Sequence, residues 1–430
     1  MGDGVGFTVP PRKAQEESRV AKTSEKKLKV AVVGAGFAHG ADGRENFAIR
    51  GHLPALKAQP ERFEVVAVCT RRQESADESA KHFGVPHAFA SVERMLAAVP
   101  EIDVVCTCVR PASHYEATMP ALKAGKHIYC ELPLGISVKQ AEEMYAIATA
   151  KGVKTALGYQ QHYHPAAMEM ARRVAEGYIG QPLMFNLSMY GSNYIVPRPS
   201  HRQWIFQLAS SGHPGYRSGL GLERIIAVLG CDITGICADM SIKVPERPSL
   251  DGGAPIKSDQ ADTMGFLLEM ENGISGSLHI SNAAWFGSGE RFEVYGTEGM
   301  LMLQSFAPTE GWSKETGEGD PNRGGLRLFG NRIDMDKFMA DPIPPERLQR
   351  LFDEIPTRSE AKTGIPEGRA AYYVAQAWAA FHEAIVNGTP YAPGFKEALK
   401  IHDILDASER SVERRGWADV NYANLKAGSA

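Results

Sequence analysis

No apolar run in this chain of 430 residues approaches the about 18 residues that a membrane-spanning helix requires, so a helical integral membrane protein is not indicated. Basic charge is not in excess either. Lys and Arg number 47 against 51 Asp and Glu, a net charge of -4, which argues against nucleic acid or an anionic membrane surface as the main partner. Cysteine is sparse and scattered: Cys69, Cys106, Cys108, Cys130, Cys231 and Cys237 have neither disulfide-framework nor zinc spacing, and read as buried thiols of a reducing cytoplasm. Cys106 and Cys108 share one face of a strand and have no further ligands nearby, so no metal site is assigned. Residues 1–27 are polar, carry Pro10 and Pro11 and lack an apolar h-region. They read as a flexible tail and not as a signal peptide, with 421–430 as a second tail.

What is present is organised around KVAVVGAGFAHG, Lys29 to Gly40. Val30, Ala31, Val32 and Val33 are an apolar run without alternation, the pattern of a central parallel strand covered on both faces. Gly34 and Gly36 follow at once. Glycines there allow positive φ and close backbone approach to a pyrophosphate seated on the next helix N-terminus. The third glycine is out of register: His39 holds its slot, Gly40 follows, and 41–46 reads as an insertion before a helix beginning near Phe47. Alone, this turn is a weak signal.

The pattern downstream strengthens it. Strands at 64–69, 104–109, 127–130 and 155–157 alternate with helices at 74–83, 92–98, 115–124 and 138–151, as in a doubly wound parallel sheet with right-handed crossovers. The expected organisation is a dinucleotide-binding Rossmann domain over 28–157, then an α+β domain over 158–420. The second half holds strand-like segments at 183–190, 233–242, 263–270, 273–282 and 291–295. Ser275, Ser277, His279 and Ser281 alternate there with Ile274, Gly276, Leu278 and Ile280, which suits a large open, mainly antiparallel sheet. Residues 307–325 read as a long surface loop, and 366–387 and 395–415 as helices. After the second strand come Thr70, Arg71 and Arg72, with no carboxylate for the ribose hydroxyls; two guanidiniums permit a 2'-phosphate, so the cofactor is NAD or NADP.

The order GAG, then PASHYE at Pro111 to Glu116, AGKHIYCELPLG at Ala124 to Gly135 and GYQQHYHPA at Gly158 to Ala166 resembles the glucose-fructose oxidoreductase/inositol dehydrogenase (Gfo/Idh/MocA) family. GYIGQP at Gly177 to Pro182, YGTEG at Tyr295 to Gly299 and PGF at Pro393 to Phe395 extend the likeness. FAIRGHLPAL (Phe47 to Leu56), SHYEATMPAL (Ser113 to Leu122) and EGYIG (Glu176 to Gly180) resemble the branch that includes the fungal galactose-regulon repressor and its bacterial relatives. The resemblance implies a cytoplasmic NAD(P)-dependent oxidoreductase that transfers a hydride between nicotinamide and a hydroxylated small molecule such as a sugar or cyclitol. It also implies a homodimer or homotetramer formed through the second-domain sheet. Two alternatives come with it: a dinucleotide-binding regulator without turnover, and a redox-neutral NAD-dependent glycosidase or lyase.

The cofactor-binding set expected from the glycine turn and the resemblance is Gly34, Gly36, Phe37, Thr70, Arg71, Arg72, Val109, Arg110, His114, Glu131, Leu132, Pro133 and Gln160. The family's lysine in Glu-Lys-Pro is replaced by Leu132, and its aspartate and histidine positions fall on Tyr216 and Leu220, while Glu223 sits where the family often keeps an acid. Hydride transfer still needs a group that takes the hydroxyl proton. The candidates are His213 and Tyr216, in a Gly/Pro-rich turn before the helix ending at Gly230, and His162 and His164, beside the nicotinamide loop of the resemblance. Tyr190 and Asn193 are candidates to line the cleft, and Arg198, His201, Arg202 and Trp204 to cover it.

Overall fold

The computed structural model describes residues 26–36, 46–192, 195, 203–249, 252–305, 325–333, 353–355, 365, 370–422 and 425. Strands β1 (Leu28–Val33), β2 (Phe63–Cys69), β3 (His87–Phe89), β4 (Val104–Thr107), β5 (His127–Cys130) and β6 (Thr155–Leu157) form a parallel sheet in the order β3-β2-β1-β4-β5-β6. Its intervening helices are α1 (Leu53–Lys57, preceded by a wide turn over Ala48–His52), α2 (Gln73–Phe83), α3 (Val92–Ala98), α4 (His114–Lys123) and α5 (Val138–Lys151). Local chemistry sets their ends. Ser91 and Ser137 accept from the amides of Arg94 and Gln140, and Gly84 and Gly152 close α2 and α5 with positive φ. The missing alternation in β1 has its cause here: Ala31 and Val33 enter one core, while Leu28, Val30 and Val32 enter a second on the opposite face.

The second sheet pairs β7 (Pro182–Tyr190), β8 (Ile233–Ser241), β11 (Thr263–Met270), β12 (Ser275–Ser281), β13 (Gly289–Gly296), β14 (Gly299–Ser305), β15 (Leu326–Arg332), β16 (Asp353–Ile355) and β17 (Ala418–Asp419), with a separate ribbon of β9 (Glu246–Arg247) and β10 (Ile256–Lys257). Among the described residues it runs β16-β15-β14-β13-β7-β12-β11-β8-β17, antiparallel throughout except where β12 lies parallel to β7. Helices α6 (Pro165–Ala175), α8 (Gly219–Leu229) and α10 (Phe395–Arg414) cover its inner face; α7 (Leu208–Ser211) is a short helix in the connection after β7. Leu278 and Ile280 are buried there, as the alternation of β12 predicts.

The strand β14, with Leu301, Met302 and Leu303 consecutively buried, was not among the expected segments; an unbroken apolar run carries no period-two signal. Helix α9 (Ala370–Val386) packs against the first sheet, placing Val374, Trp378 and Phe381 in the core beneath β1 and β5. The expected loop at 307–325 lies, but for Gly325, outside the described residues, as do Phe37, His39, Gly40, Asn193, Arg198, His201 and Arg202.

Candidate functional site

Strand order reverses between β1 and β4, and the crevice beyond their C-terminal ends is where an open α/β sheet holds a ligand. The chain turns there at Gly34, with φ +98° and its amide donating to the Cys69 carbonyl at 2.8 Å. A Cβ on Gly34 would lie 2.1 Å from the Cys108 carbonyl oxygen, and one on Gly36 would lie 2.7 Å from Ser75 Oγ. The absent side chains let the turn pack directly against the β4 loop and the start of α2, which keeps its backbone at the mouth of the crevice where a pyrophosphate would approach. Asn46 fastens the turn: Nδ2 donates to the carbonyls of Gly34 at 2.9 Å and Gly36 at 2.6 Å, and Oδ1 accepts from the Ala48 amide. Sequence reasoning had placed Asn46 inside an insertion; a lone amide after a glycine turn gives no periodic signal.

On the adenosine side, Thr70 Oγ1 donates to the Arg72 carbonyl at 2.7 Å, and the side chains of Arg71 and Arg72 are exposed where α2 begins. On the opposite side, the loops after β4 and β5 are tied by His114, whose Nδ1 lies 2.6 Å from the Pro133 carbonyl and Nε2 3.1 Å from the Val109 carbonyl. Burial pushes this imidazole below its ordinary range against the pull of both carbonyls. The neutral ring has one proton to give, and the shorter contact places it on Nδ1. His114 is thus a brace between two loops. Val109 also touches the glycine turn, Arg110 is exposed, and Leu132 packs onto the main core.

Glu131 is the end of a buried relay that sequence reasoning missed. Trp378 Nε1 donates to His52 Nδ1 at 3.1 Å, and since indole can only donate, the His52 proton resides on Nε2 and is given to Glu131 Oε1 at 2.9 Å. Gln160 donates to the same carboxylate oxygen. Gly158 makes room for this carboxylate, since a Cβ there would lie 2.5 Å from Glu131 Oε2 and push it from His52 and Gln160. His52 and Trp378 are 326 residues apart in the chain, which no local pattern reveals.

The four acid/base candidates separate clearly. His162 Nδ1 lies 2.6 Å from Glu223 Oε1, and both line a shallow cleft of about 190 Å³ between α6 and α8, with Ala167, Met168 and Ala227 in its walls. The carboxylate can only accept, so Nδ1 donates to it and the ring is oriented with Nε2 on its far side. His164, two residues on, is buried, caps α6 by accepting from the Ala166 amide at 3.1 Å and stacks on Tyr373, so its role is structural. His213 accepts from the Gly215 amide at 2.9 Å, and its Nε2 lies 2.7 Å from Glu409 Oε1 on α10. Tyr216 is buried in the next turn. The structure brings Glu131, Gln160, His162 and Glu223 to the loop after β6, and places His213 at the seam with α10. Trp204 joins Ile205 and Phe206 in a small satellite core, and Tyr190 bonds His279 at 2.9 Å on the outer sheet face.

Two of these buried imidazoles set an acid limit on stability. Burial, then Arg224, holds His164 down to about 3; burial, then His213, holds His402 on α10 down to about 4. Both begin from 6.5 in the unfolded chain. Above that value both states are neutral and neither group contributes. Below it the unfolded chain binds protons that the folded chain refuses, so stability is lost as pH falls from 6.5 toward these folded values. By pH 5 the loss is about 2 kcal/mol per histidine. Urea unfolding at pH 7.5, 6 and 5 is expected to show this decline, with His402→Gln flattening it; equal stability at all three would contradict the assignment.

Two family models match the chain: "Oxidoreductase family, NAD-binding Rossmann fold" over residues 28–159, and "GFO/IDH/MocA C-terminal domain" over 167–302. The inositol 2-dehydrogenase/D-chiro-inositol 3-dehydrogenase of Lactiplantibacillus plantarum is 31% identical over 64% of this chain and 71% of its own. The chain belongs to the GFO/IDH/MocA family. A second relative, the galactose/lactose metabolism regulatory protein GAL80 of Saccharomyces cerevisiae, is 27% identical over 42% of this chain and 43% of its own. A levoglucosan dehydrogenase solved in complex with NADH and levoglucosan shares the fold at TM-score 0.74 and 22% identity, covering 92% of this chain and all of that one. As a GFO/IDH/MocA protein, this chain carries an NAD-binding Rossmann fold, and the Gly34 turn lies at its strand-order reversal. Among the described residues of this family member, no cluster of His, Cys, Asp and Glu is arranged to hold a metal, and no helix is long and apolar enough to cross a membrane.

Proposed function

We propose that this protein is an NAD(P)-dependent oxidoreductase acting on a neutral hydroxylated small molecule, a sugar or cyclitol. The observation that carries this reading is the Gly34 turn at the strand-order reversal, where positive φ and the absence of a side chain let the β1 turn close directly onto the Cys108 backbone of the β4 loop. A bound nicotinamide supplies the hydride acceptor or donor. The chain's own residues orient and deprotonate. Glu131, held by His52 and Gln160, fixes the nicotinamide-side loop, and Arg71 and Arg72 face the adenosine ribose. His162 Nε2, backed by Glu223, takes the hydroxyl proton as the carbon gives up its hydride and the carbonyl forms. This relay stands in for the lysine that Leu132 replaces.

The outer face of the large sheet, where Met184 and Leu267 are about half exposed (52% and 53%) around the bonded Asn186, Ser277 and Glu293, is the surface proposed for a homodimer or homotetramer. The second reading is a dinucleotide-binding regulator without turnover. Leu132 favours it, since an alkyl group neither donates a hydrogen bond nor polarises a carbonyl.

Calorimetric titration with NAD, NADH, NADP and NADPH, followed by turnover assays over neutral polyols, separates the readings. Micromolar binding is expected, with His162→Gln lowering kcat by about 10²–10⁴ while leaving nucleotide affinity intact. Binding without turnover of any polyol would favour the regulator. No binding of any of the four nucleotides would sink both.

A further inference from the structure

The connection from β7 to α8 reaches back across the molecule and grips the loops that carry the nicotinamide half of the site. Helix α7 packs against the turn Pro111–Ser113, directly before the brace His114. One residue on, Gly212 has φ +89°, and a Cβ there would lie 2.5 Å from both Cα and the carbonyl oxygen of Ile136. Backbone therefore meets backbone, with no side chain between them. Ile136 ends the loop that begins at Glu131, and its amide is held by Gln140 Oε1 at 3.0 Å. The same loop is held from the other side by His114 through the Pro133 carbonyl.

The gripping segment is itself anchored to the β9–β10 ribbon and to the connection from β10 to β11. Gln260, 2% exposed, donates to Ser211 Oγ and, at 3.1 Å, to the His213 carbonyl. Asp259 Oδ1 accepts from the Leu208 amide at 2.5 Å, and its own amide donates to the Phe206 carbonyl at 3.1 Å. The Arg247 guanidinium lies over the Phe206 ring, 4.5 Å from its centroid. None of these groups belongs to the glycine turn or to the adenosine side.

We propose that residues 206–213 form a clasp that holds the loops after β4 and β5 against a bound dinucleotide, with Gly212 and Gln260 as positioning residues for its nicotinamide half. This rests on the dinucleotide reading above. In a Rossmann sheet each half binds one mononucleotide, so a clasp confined to the β4 and β5 loops acts on one end of the ligand only. Its loss shows as faster release of the whole dinucleotide and leaves a ligand without nicotinamide unaffected.

The test compares NADH with ADP-ribose on the full chain, by stopped-flow release and by titration, in the wild type and in Gly212→Ala, Gln260→Met and the milder Ser211→Ala. NADH release is expected to quicken about tenfold in the first two and less in the third, with ADP-ribose affinity unchanged within about twofold. Unchanged NADH release in all three variants overturns the proposal. So does an equal loss of both ligands, which would mark a general loosening of the fold. If Gln260→Met fails to fold, Ser211→Ala, which removes the hydrogen bonds to Gln260 and to the Gln207 carbonyl and adds no volume, decides by the same two ligands. Failure of the wild type to bind ADP-ribose would strike the dinucleotide reading itself and take the clasp with it.

Discussion

Gly34→Ala is expected to abolish dinucleotide binding, lowering affinity more than about 100-fold, and to cost about 2–4 kcal/mol of stability. Two effects add. At φ +98° an L-residue is strained, by about 1–2 kcal/mol in the left-handed region. The new methyl also meets the Cys108 carbonyl oxygen at 2.1 Å and its carbon at 2.7 Å, both main chain, so no rotamer change relieves the clash. The β1 turn and the β4 loop must part, and Asn46 then loses one or both carbonyls it holds. Gly125→Ala is the control: its φ is +70°, nothing lies within 4 Å of the added atom, and it is expected to cost only the backbone strain and leave binding unchanged. NADH fluorescence titration with urea unfolding on both variants measures the contrast. An alanine at 34 that binds NADH like the wild type would show that the pyrophosphate does not approach this turn.

Trp378→Ala is the second large effect, a loss of about 3–5 kcal/mol from the cavity alone. The indole is fully buried, stacks on Tyr129 at 4.7 Å between centroids, and meets Phe63 edge-on at 5.3 Å. Its removal also leaves His52 Nδ1 without its donor, adding about 1–3 kcal/mol for the unpaired buried group. Trp378→Phe separates the two terms, since it keeps most of the packing and loses the N–H. The phenylalanine variant is expected to remain folded yet bind NADH more weakly, because His52 is no longer held in the tautomer that serves Glu131. If it binds NADH as the wild type does, the relay is only a structural network.

What the sequence disclosed follows from how locally each feature is written. The β1 run and its two glycines are contiguous, and helices α3 and α4 lie within a residue of their expected spans because their periodicity and caps are adjacent in the chain. Pairings were another matter. His162 and Glu223 are 61 residues apart, and only the fold shows that a carboxylate meets His162 while His164 is buried. His213 looked exposed in its Gly/Pro-rich turn; the close approach of Gly212 to Ile136 and the Glu409 contact account for its burial.

The first sheet is finished by helix α9, from the far end of the chain. Gln59 reaches the Ala375 carbonyl across 316 residues, and the core under β1 contains Val374, Trp378 and Phe381. During synthesis, at about 5–20 residues per second, that face waits on the order of tens of seconds for its cover. Through that interval the nascent chain presents an uncovered apolar sheet face to solvent. The sheet that is synthesised first is among the last parts to be completed, and a chaperone bound to the emerging β1 to β5 segment would have a surface to shield until α9, Ala370–Val386, has been made.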